Sequence, residues 1–360
     1  MLQNIFKKRE KDFPPKKVKS DLKTRINSAI VLGVVIVIYL TMSTLHTELQ
    51  RGINVNPDAV LAFGWIFIIL TWALLAGSLF ELSRALGIKK WYHFAAIILG
   101  GLALFIWPFG QKEASLKIFL YNSFDLNIFN KMSKFWVIAL IGIIYISVLM
   151  LISFMANKKD WIKKGLILVF VSLLMISALK GFETMALSFG VEPLNLSDSG
   201  NSPTYSFTSI IWVWSTIILT DSFAYLGGRK FGKNLLAPNI SPKKTWEGAL
   251  IGTGVATIIG FLFAFLLFFF SDTKEYSPLY GIFQNESIGL AFVVFFLMTL
   301  MISIVGQMGD LLFSAIKRYV GIKDYSKLIP GHGGILDRMD SFYLVFFIMF
   351  IMTIIWGYTI

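Results

Sequence analysis

Cysteine is absent from the 360-residue chain, and histidine occurs only three times, at positions 46, 93 and 332. The first absence excludes disulfides, thiolate nucleophiles and cysteine-ligated zinc. The second, with the three histidines far apart, excludes an H-E-x-x-H zinc centre. Any metal must therefore be held by oxygen. Charge is also scarce: 15% of residues are Asp, Glu, Lys or Arg, against 56% hydrophobic and 16% aromatic, a balance too apolar for a soluble globular chain of this length. Neither an internal repeat nor a soluble insertion large enough to fold alone interrupts the chain from about residue 26 onward.

What the chain has instead is apolar runs near the length that crosses a ~30 Å hydrocarbon core. They fall at about residues 26–45, 59–80, 91–109, 135–155, 165–180, 205–228, 248–271, 287–309 and 341–358. The expected fold class is an all-α polytopic membrane protein of about nine transmembrane helices, the run ending near Lys180 being short for a span. Its parts are a basic arm (1–25), N-terminal membrane helices and loops (26–204) and a C-terminal membrane region with the candidate catalytic motifs (205–360), the last two forming one membrane domain. The arm is longer than a usual signal n-region and no small-residue cleavage site follows the first run, so it is read as a retained cytoplasmic segment lying on acidic lipid.

The net charge of +12 acquires its meaning from position. With the N-terminus cytoplasmic, 26 of the 33 Lys and Arg fall on the inner side, and seven remain outside: Arg51, Lys112, Lys117, Lys131, Lys134, Lys180 and Lys274. This bias predicts a cytoplasmic N-terminus and an external C-terminus, with residues 110–134 the one dissenting loop. The basic balance is thus topology and attraction to anionic lipid, with no nucleic-acid partner. The two motif-bearing loops, 229–247 and 310–340, both fall on the inner face.

In "TDSFAYLGGRKFGKNLLAPNISPKKTWEG" (220–248), Asp221 lies inside an apolar run. A carboxylate there is costly and marks either a functional acid with a partner or a helix-bonding one. "GGRKFGKN" approaches a Walker A loop, but Asn234 stands where Ser or Thr must hold magnesium and a membrane span replaces the preceding strand, so that reading fails. A flexible Gly and Lys loop remains, either a positive-inside anchor or a phosphate contact through Arg229. In "SPKKTWEG", Pro242 fixes a turn and Ser241 can cap, so Lys243, Lys244 and Thr245 would bring two ammoniums and a hydroxyl to a helix start, a suitable seat for polyphosphate. Trp246 is a base-stacking or an interfacial residue.

Asp310, Ser314, Lys317 and Arg318 recur at i, i+4, i+7 and i+8 and share one stripe of a helix leaving the membrane. The stripe suits either a metal with its phosphate or an interface-facing ion pair. In "PGHGGILDRMDS" (330–341), Gly331, Gly333 and Gly334 are expected to leave N–H groups bare for an anion. Asp337 and Asp340 lie at i, i+3 on the first turn of the last span. With Asp310 and Asp221 they make three or four hard oxygen ligands, a magnesium-type set.

"SAIKRYVGIKDYSKLIPGHGGILDRMD" (314–340) resembles the signature of the phosphatidate cytidylyltransferases, the CDP-diacylglycerol synthases, at Ser314, Lys317, Arg318, Lys323, Asp324, Pro330, His332, Gly333, Gly334, Asp337, Arg338 and Asp340. "DSFAYLGGRKFGKNLLAPNISPKKTWEG" is similar to a second shared block, and "LKTRINSAIV" is a weaker echo; the resemblance covers about residues 205–345. It implies a multi-pass protein of the cell membrane with the site facing the cytoplasm, CTP and phosphatidic acid as substrates, pyrophosphate release, and a divalent Mg2+ with a monovalent companion such as K+. It assigns Asp310, Asp337 and Asp340 to the metal, and Lys243, Lys244, Lys317, Arg318 and Arg338 to phosphates. Members often carry Glu before the motif serine, where this chain has Phe313. Either Asp221 then takes a larger share of the metal work or that acid is dispensable. A homodimer is compatible with the sequence.

The implied reaction agrees with the residues. A phosphatidate oxygen attacking the α-phosphorus of CTP must overcome repulsion between two anions, so cations must gather first. The nucleophile is already ionised, which leaves His332 a hydrogen-bonding or loop-ordering role before a proton-transfer one. A CTP-dependent lipid kinase would share these groups. A secondary transporter would instead show internal repeats and mid-membrane charge.

Overall fold

The computed structural model describes residues 22–51, 57–106, 135–187, 207–271, 276–279, 287–331 and 333–359. The arm up to residue 21, most of the expected outer loops and His332 lie outside the described residues. Apolar sequence that meets lipid must satisfy its backbone groups internally, and the helix does so within one segment. The described helices are α1 (Leu22–Arg51), α2 (Pro57–Ala85), α3 (Trp91–Ile106), α4 (Phe135–Ala156), α5 (Trp161–Leu187) and α6 (Thr208–Phe231). A hairpin of β1 (Leu235–Ala237) and β2 (Ser241–Thr245) leads into α7 (Trp246–Phe270), α8 (Ile288–Val320) and α9 (Leu336–Thr359). Among the described residues, six helices are long and apolar enough to cross a membrane: the Ala62–Ala85 part of α2, the Trp136–Ala156 part of α4, and α5 to α8. Ile30–His46 and Trp91–Ile106 are shorter apolar helices.

The described residues are mostly helical, and the short hairpin is a local addition to that architecture. Antiparallel pairing of Leu235 with Thr245 and Ala237 with Ser241 keeps Lys243 and Lys244 extended, so they precede the helix instead of opening it. The cap is Thr245, not Ser241: its extended backbone (φ −122°, ψ 153°) lets its hydroxyl accept the Gly248 N–H at 3.2 Å. Glu247, in the first turn, accepts the N–H groups of Lys233 (3.0 Å) and Asn234 (3.2 Å) and the Asn234 side-chain amide (2.7 Å). The 232–234 segment is thereby pinned to α7 and is not the flexible loop that its glycines suggest.

Two further corrections concern length. Lys180 is not in an outer loop: α5 continues to Leu187, and the fully buried Lys180 donates to the Phe105 carbonyl at 2.9 Å. The run ending there is therefore part of a 27-residue helix, ample for a span. The 33 residues of α8, about 50 Å at the helical rise, exceed the hydrocarbon core and carry the Asp310 stripe beyond it as one unbroken helix. It ends at Gly321, whose φ of 77° needs a glycine, with the Ile322 N–H closing back on the Lys317 carbonyl at 2.9 Å.

Association of apolar helices in lipid relies on close approach and on polar ties. The α6–α7 pair uses the first. Gly248, Gly252, Ala256 and Gly260 recur every four residues on α7, and a Cβ at Gly252 would fall 2.6 Å from the Thr220 carbonyl oxygen. Gly227 faces Ile251 in the same seam, so it serves packing, not phosphate. The second device appears where Trp212 donates to Thr299 (3.2 Å), Thr220 and Ser303 share a hydrogen bond (2.8 Å), and Gln307 donates to Thr253 (2.8 Å), holding α6 and α7 on α8. Ser78 and Tyr343 join α2 to α9 in the same way. Gly252→Leu is expected to cost about 1–3 kcal/mol through overpacking against backbone and to lower the thermal midpoint in detergent. Gly254→Leu, where a Cβ meets nothing within 4 Å, should leave it unchanged.

Candidate active site

The ends of α2, α6 and α8, the hairpin and the starts of α7 and α9 come together on one side of the bundle, and the charged residues of the C-terminal half meet there. Asp310 on α8 accepts the Ser314 hydroxyl on one oxygen (3.1 Å) and pairs with Lys244 of β2 through the other (2.5 Å). The extended strand is what gives Lys244 this reach. Lys317, two turns along the same stripe, donates to Asp337 Oδ1 at 2.8 Å and stands 3.9 Å from Asp340 Oδ2. Its ammonium also lies 5.6 Å from the centroid of the Tyr325 ring. Asp221 accepts the Ser341 hydroxyl at 3.3 Å, and Asp310, Asp340, Lys244 and Arg338 act on it electrostatically. The four aspartates and Lys244, Ser314 and Lys317 thus belong to one network.

The turn leading into α9 is built by hydrogen bonds. Ile329 and Gly333 pair antiparallel (2.8 and 3.1 Å), closing a loop whose Gly331 and Gly333 have φ of 77° and 89°. Asp337 Oδ2 accepts the N–H groups of Tyr325 (2.8 Å) and Gly334 (2.9 Å). Bare N–H groups were expected at Gly331, Gly333 and Gly334; those of Gly333 and Gly334 are instead committed, to Ile329 and Asp337. A direct amide cradle for substrate at these two glycines is therefore corrected to an internal one.

Other expected contacts fall at the rim. Arg318 donates through Nε to the Ile240 carbonyl at 3.1 Å and braces the hairpin turn. Lys243, Arg229 and Arg338 are exposed, as is Trp246, while Ser241 is half-buried on β2. Thr245 uses its oxygen as the helix cap described above.

Three residues of the site escaped the sequence reading. Glu81, at the end of α2 and only 3% exposed, accepts the Ser326 hydroxyl (2.6 Å) and the N–H groups of Ile335 (3.0 Å) and Leu336 (2.9 Å). Its one visible signal was its position as an acid closing the apolar run 59–80. Tyr325 donates its hydroxyl to the Phe313 carbonyl at 3.3 Å. Burial first, and then the Asp337, Asp340 and Glu81 carboxylates, push its phenol well above the ordinary range, so it stays a neutral donor. Glu247 is the third.

Comparison with known proteins places these segments. Residues 23–356 match the profile of the family described as the Cytidylyltransferase family. The chain belongs to that family. It is 31% identical over 296 residues to the phosphatidate cytidylyltransferase of Haemophilus influenzae, covering 79% of this chain and 90% of that protein. It is 30% identical over 275 residues to the phosphatidate cytidylyltransferase of Bacillus subtilis, covering 69% and 93%. A 152-residue stretch is 37% identical to the phosphatidate cytidylyltransferase of Brucella abortus, covering 42% and 49%. Within this cytidylyltransferase, Phe313 is a packing position: its fully buried ring lies 5.8 Å from Tyr343 and 6.4 Å from Tyr325. The acid that reaches the signature loop from elsewhere is Glu81.

Proposed function

We propose that the chain transfers the cytidylyl group of CTP to phosphatidic acid, releasing pyrophosphate and forming CDP-diacylglycerol. The observation that carries this reading is the alternation of lysines and carboxylates, Lys244–Asp310 and Lys317–Asp337, at one end of an apolar helix bundle. In the reaction a phosphatidate oxygen forms a bond to the α-phosphorus of CTP as the bond from that phosphorus to the β-phosphate bridging oxygen breaks. Lys243 and Lys244 hold the triphosphate, and Arg318 or Arg338 takes the phosphatidate headgroup. Lys317 counters the charge that the second anion adds.

The carboxylates also fit a divalent cation by their donor chemistry. Asp310, Asp337, Asp340 and Asp221 offer only hard oxygens, and a Mg2+ site in phosphate chemistry takes one or two carboxylates with substrate phosphate and water. Among the described residues no three acidic or histidine side chains converge as a ligand group, so the expected set of three or four carboxylate ligands is not preformed here. These aspartates would hold Mg2+, with a monovalent companion such as K+, and the ion when bound supplies positive charge to the triphosphate and to the departing pyrophosphate.

For the expected nine spans, the positive-inside bias supports a cytoplasmic N-terminus and an external C-terminus, and with them a site at the cytoplasmic leaflet of the cell membrane. There a soluble nucleotide and a bilayer lipid can meet, in a monomer or a homodimer. CTP labelled separately at the α and γ phosphates, incubated with phosphatidic acid in detergent micelles, tests the reading. The α label is expected in lipid; γ label in lipid would make the protein a kinase, and label in neither position would overturn the transfer.

A further inference from the structure

Three successive N–H groups at the start of α9, those of Gly334, Ile335 and Leu336, point where an anion would ordinarily settle. Two internal carboxylates take them: Asp337 the first, Glu81 the second and third. Glu81 arrives from α2, some 250 residues earlier in the chain. Its Oε1 also accepts the Ser326 hydroxyl, so one carboxylate ties both ends of the segment 326–336 to the N-terminal helices. The contact is close: a Cβ on Gly334 would collide with the Glu81 carboxylate, so the glycine is required there for approach and not for an open cradle. Asp337 grips the same turn from the other side through the Tyr325 and Gly334 N–H groups while its second oxygen meets Lys317.

Resting on the transfer reaction proposed above, we infer that Glu81 is a positioning residue for it: by fixing the Gly334–Leu336 backbone, its carboxylate sets where Asp337 and Asp340 project toward Lys317. The carboxylate form is required. A glutamine can keep one oxygen for Ser326 and Ile335, but its amide then turns a donor on the Leu336 N–H. An aspartate is shorter by one methylene and cannot span the same three donors. Loss of this grip shifts the first turn of α9, and misplacement by about 1 Å costs on the order of 100-fold in rate. Because Glu81 touches neither substrate in this reading, the rate changes and binding does not.

The test compares wild type with Glu81→Gln and Ser326→Ala in detergent micelles, measuring kcat, KM for CTP and for phosphatidic acid, thermal midpoint, and hydrogen exchange of the Ile335 and Leu336 amides. Glu81→Gln is expected to lower kcat by about 10–100-fold with both KM values near wild type, a similar midpoint, and faster exchange at those amides. Ser326→Ala should move kcat in the same direction by less. A Glu81→Gln enzyme that folds and keeps wild-type kcat overturns the inference. Should Glu81→Gln fail to fold, Ser326→Ala decides, and an unchanged kcat there overturns it equally. A wild-type protein that places no α label in lipid overturns the transfer reading itself, while faster exchange in Glu81→Gln would still establish the grip.

Discussion

Asp337→Asn is expected to reduce cytidylyl transfer by about 10³-fold while leaving the protein folded. The substitution separates two duties of one side chain. Oδ2 accepts the Tyr325 and Gly334 N–H groups, a task that an amide oxygen can keep. Oδ1 faces Lys317 at 2.8 Å and carries the charge offered to the reacting centre, which an amide cannot. Asp337→Ala removes both and is expected to lose stability as well, because two N–H groups are left in a site where the Asp337 side chain is 4% exposed. Incorporation of α-labelled CTP into lipid, read beside the thermal midpoint, checks the separation. An Asp337→Asn enzyme within tenfold of wild type would mean that the carboxylate only builds the loop.

The helices were legible because most apolar runs are long and have no polar alternative, so burial in lipid and helix formation point the same way. The C-terminal cluster was legible for a related reason: Asp310, Ser314, Lys317 and Arg318 share a helical stripe, and Asp337 and Asp340 a first turn, so local spacing alone brings them to one face. The hairpin was hidden, since Ser241 to Thr245 carries no alternation of apolar residues and its pairing is a matter of backbone. The glycines misled. Nothing local distinguishes a glycine that frees an N–H from one that admits a neighbour, as Gly227 admits Ile251 and Gly334 admits Glu81. Glu81 itself could not be found from spacing, because two of its partners are backbone N–H groups far along the chain, at Ile335 and Leu336, and backbone groups leave no mark in a sequence.

Lys317→Met is expected to damage both stability and transfer, and a second substitution should separate the two losses. Methionine keeps most of the stem volume and removes the ammonium, leaving Asp337 and Asp340, with side chains 4% and 13% exposed, facing each other without it. Removing one partner of a buried pair costs about 3–5 kcal/mol, much of it the penalty on the charge left behind. The thermal midpoint in detergent should therefore fall clearly, and transfer should be lost with it. Adding Asp337→Asn to Lys317→Met removes the stranded charge while keeping an oxygen for the Tyr325 and Gly334 N–H groups, so the double variant should recover part of the lost stability and none of the activity. That coupling is the signature of a direct pair, since residues without a shared interaction give additive losses. A midpoint unchanged in Lys317→Met, or strictly additive losses in the double variant, would show that the ammonium does not neutralise these carboxylates, and the charge alternation on which the transfer chemistry is built would fail at its most buried point.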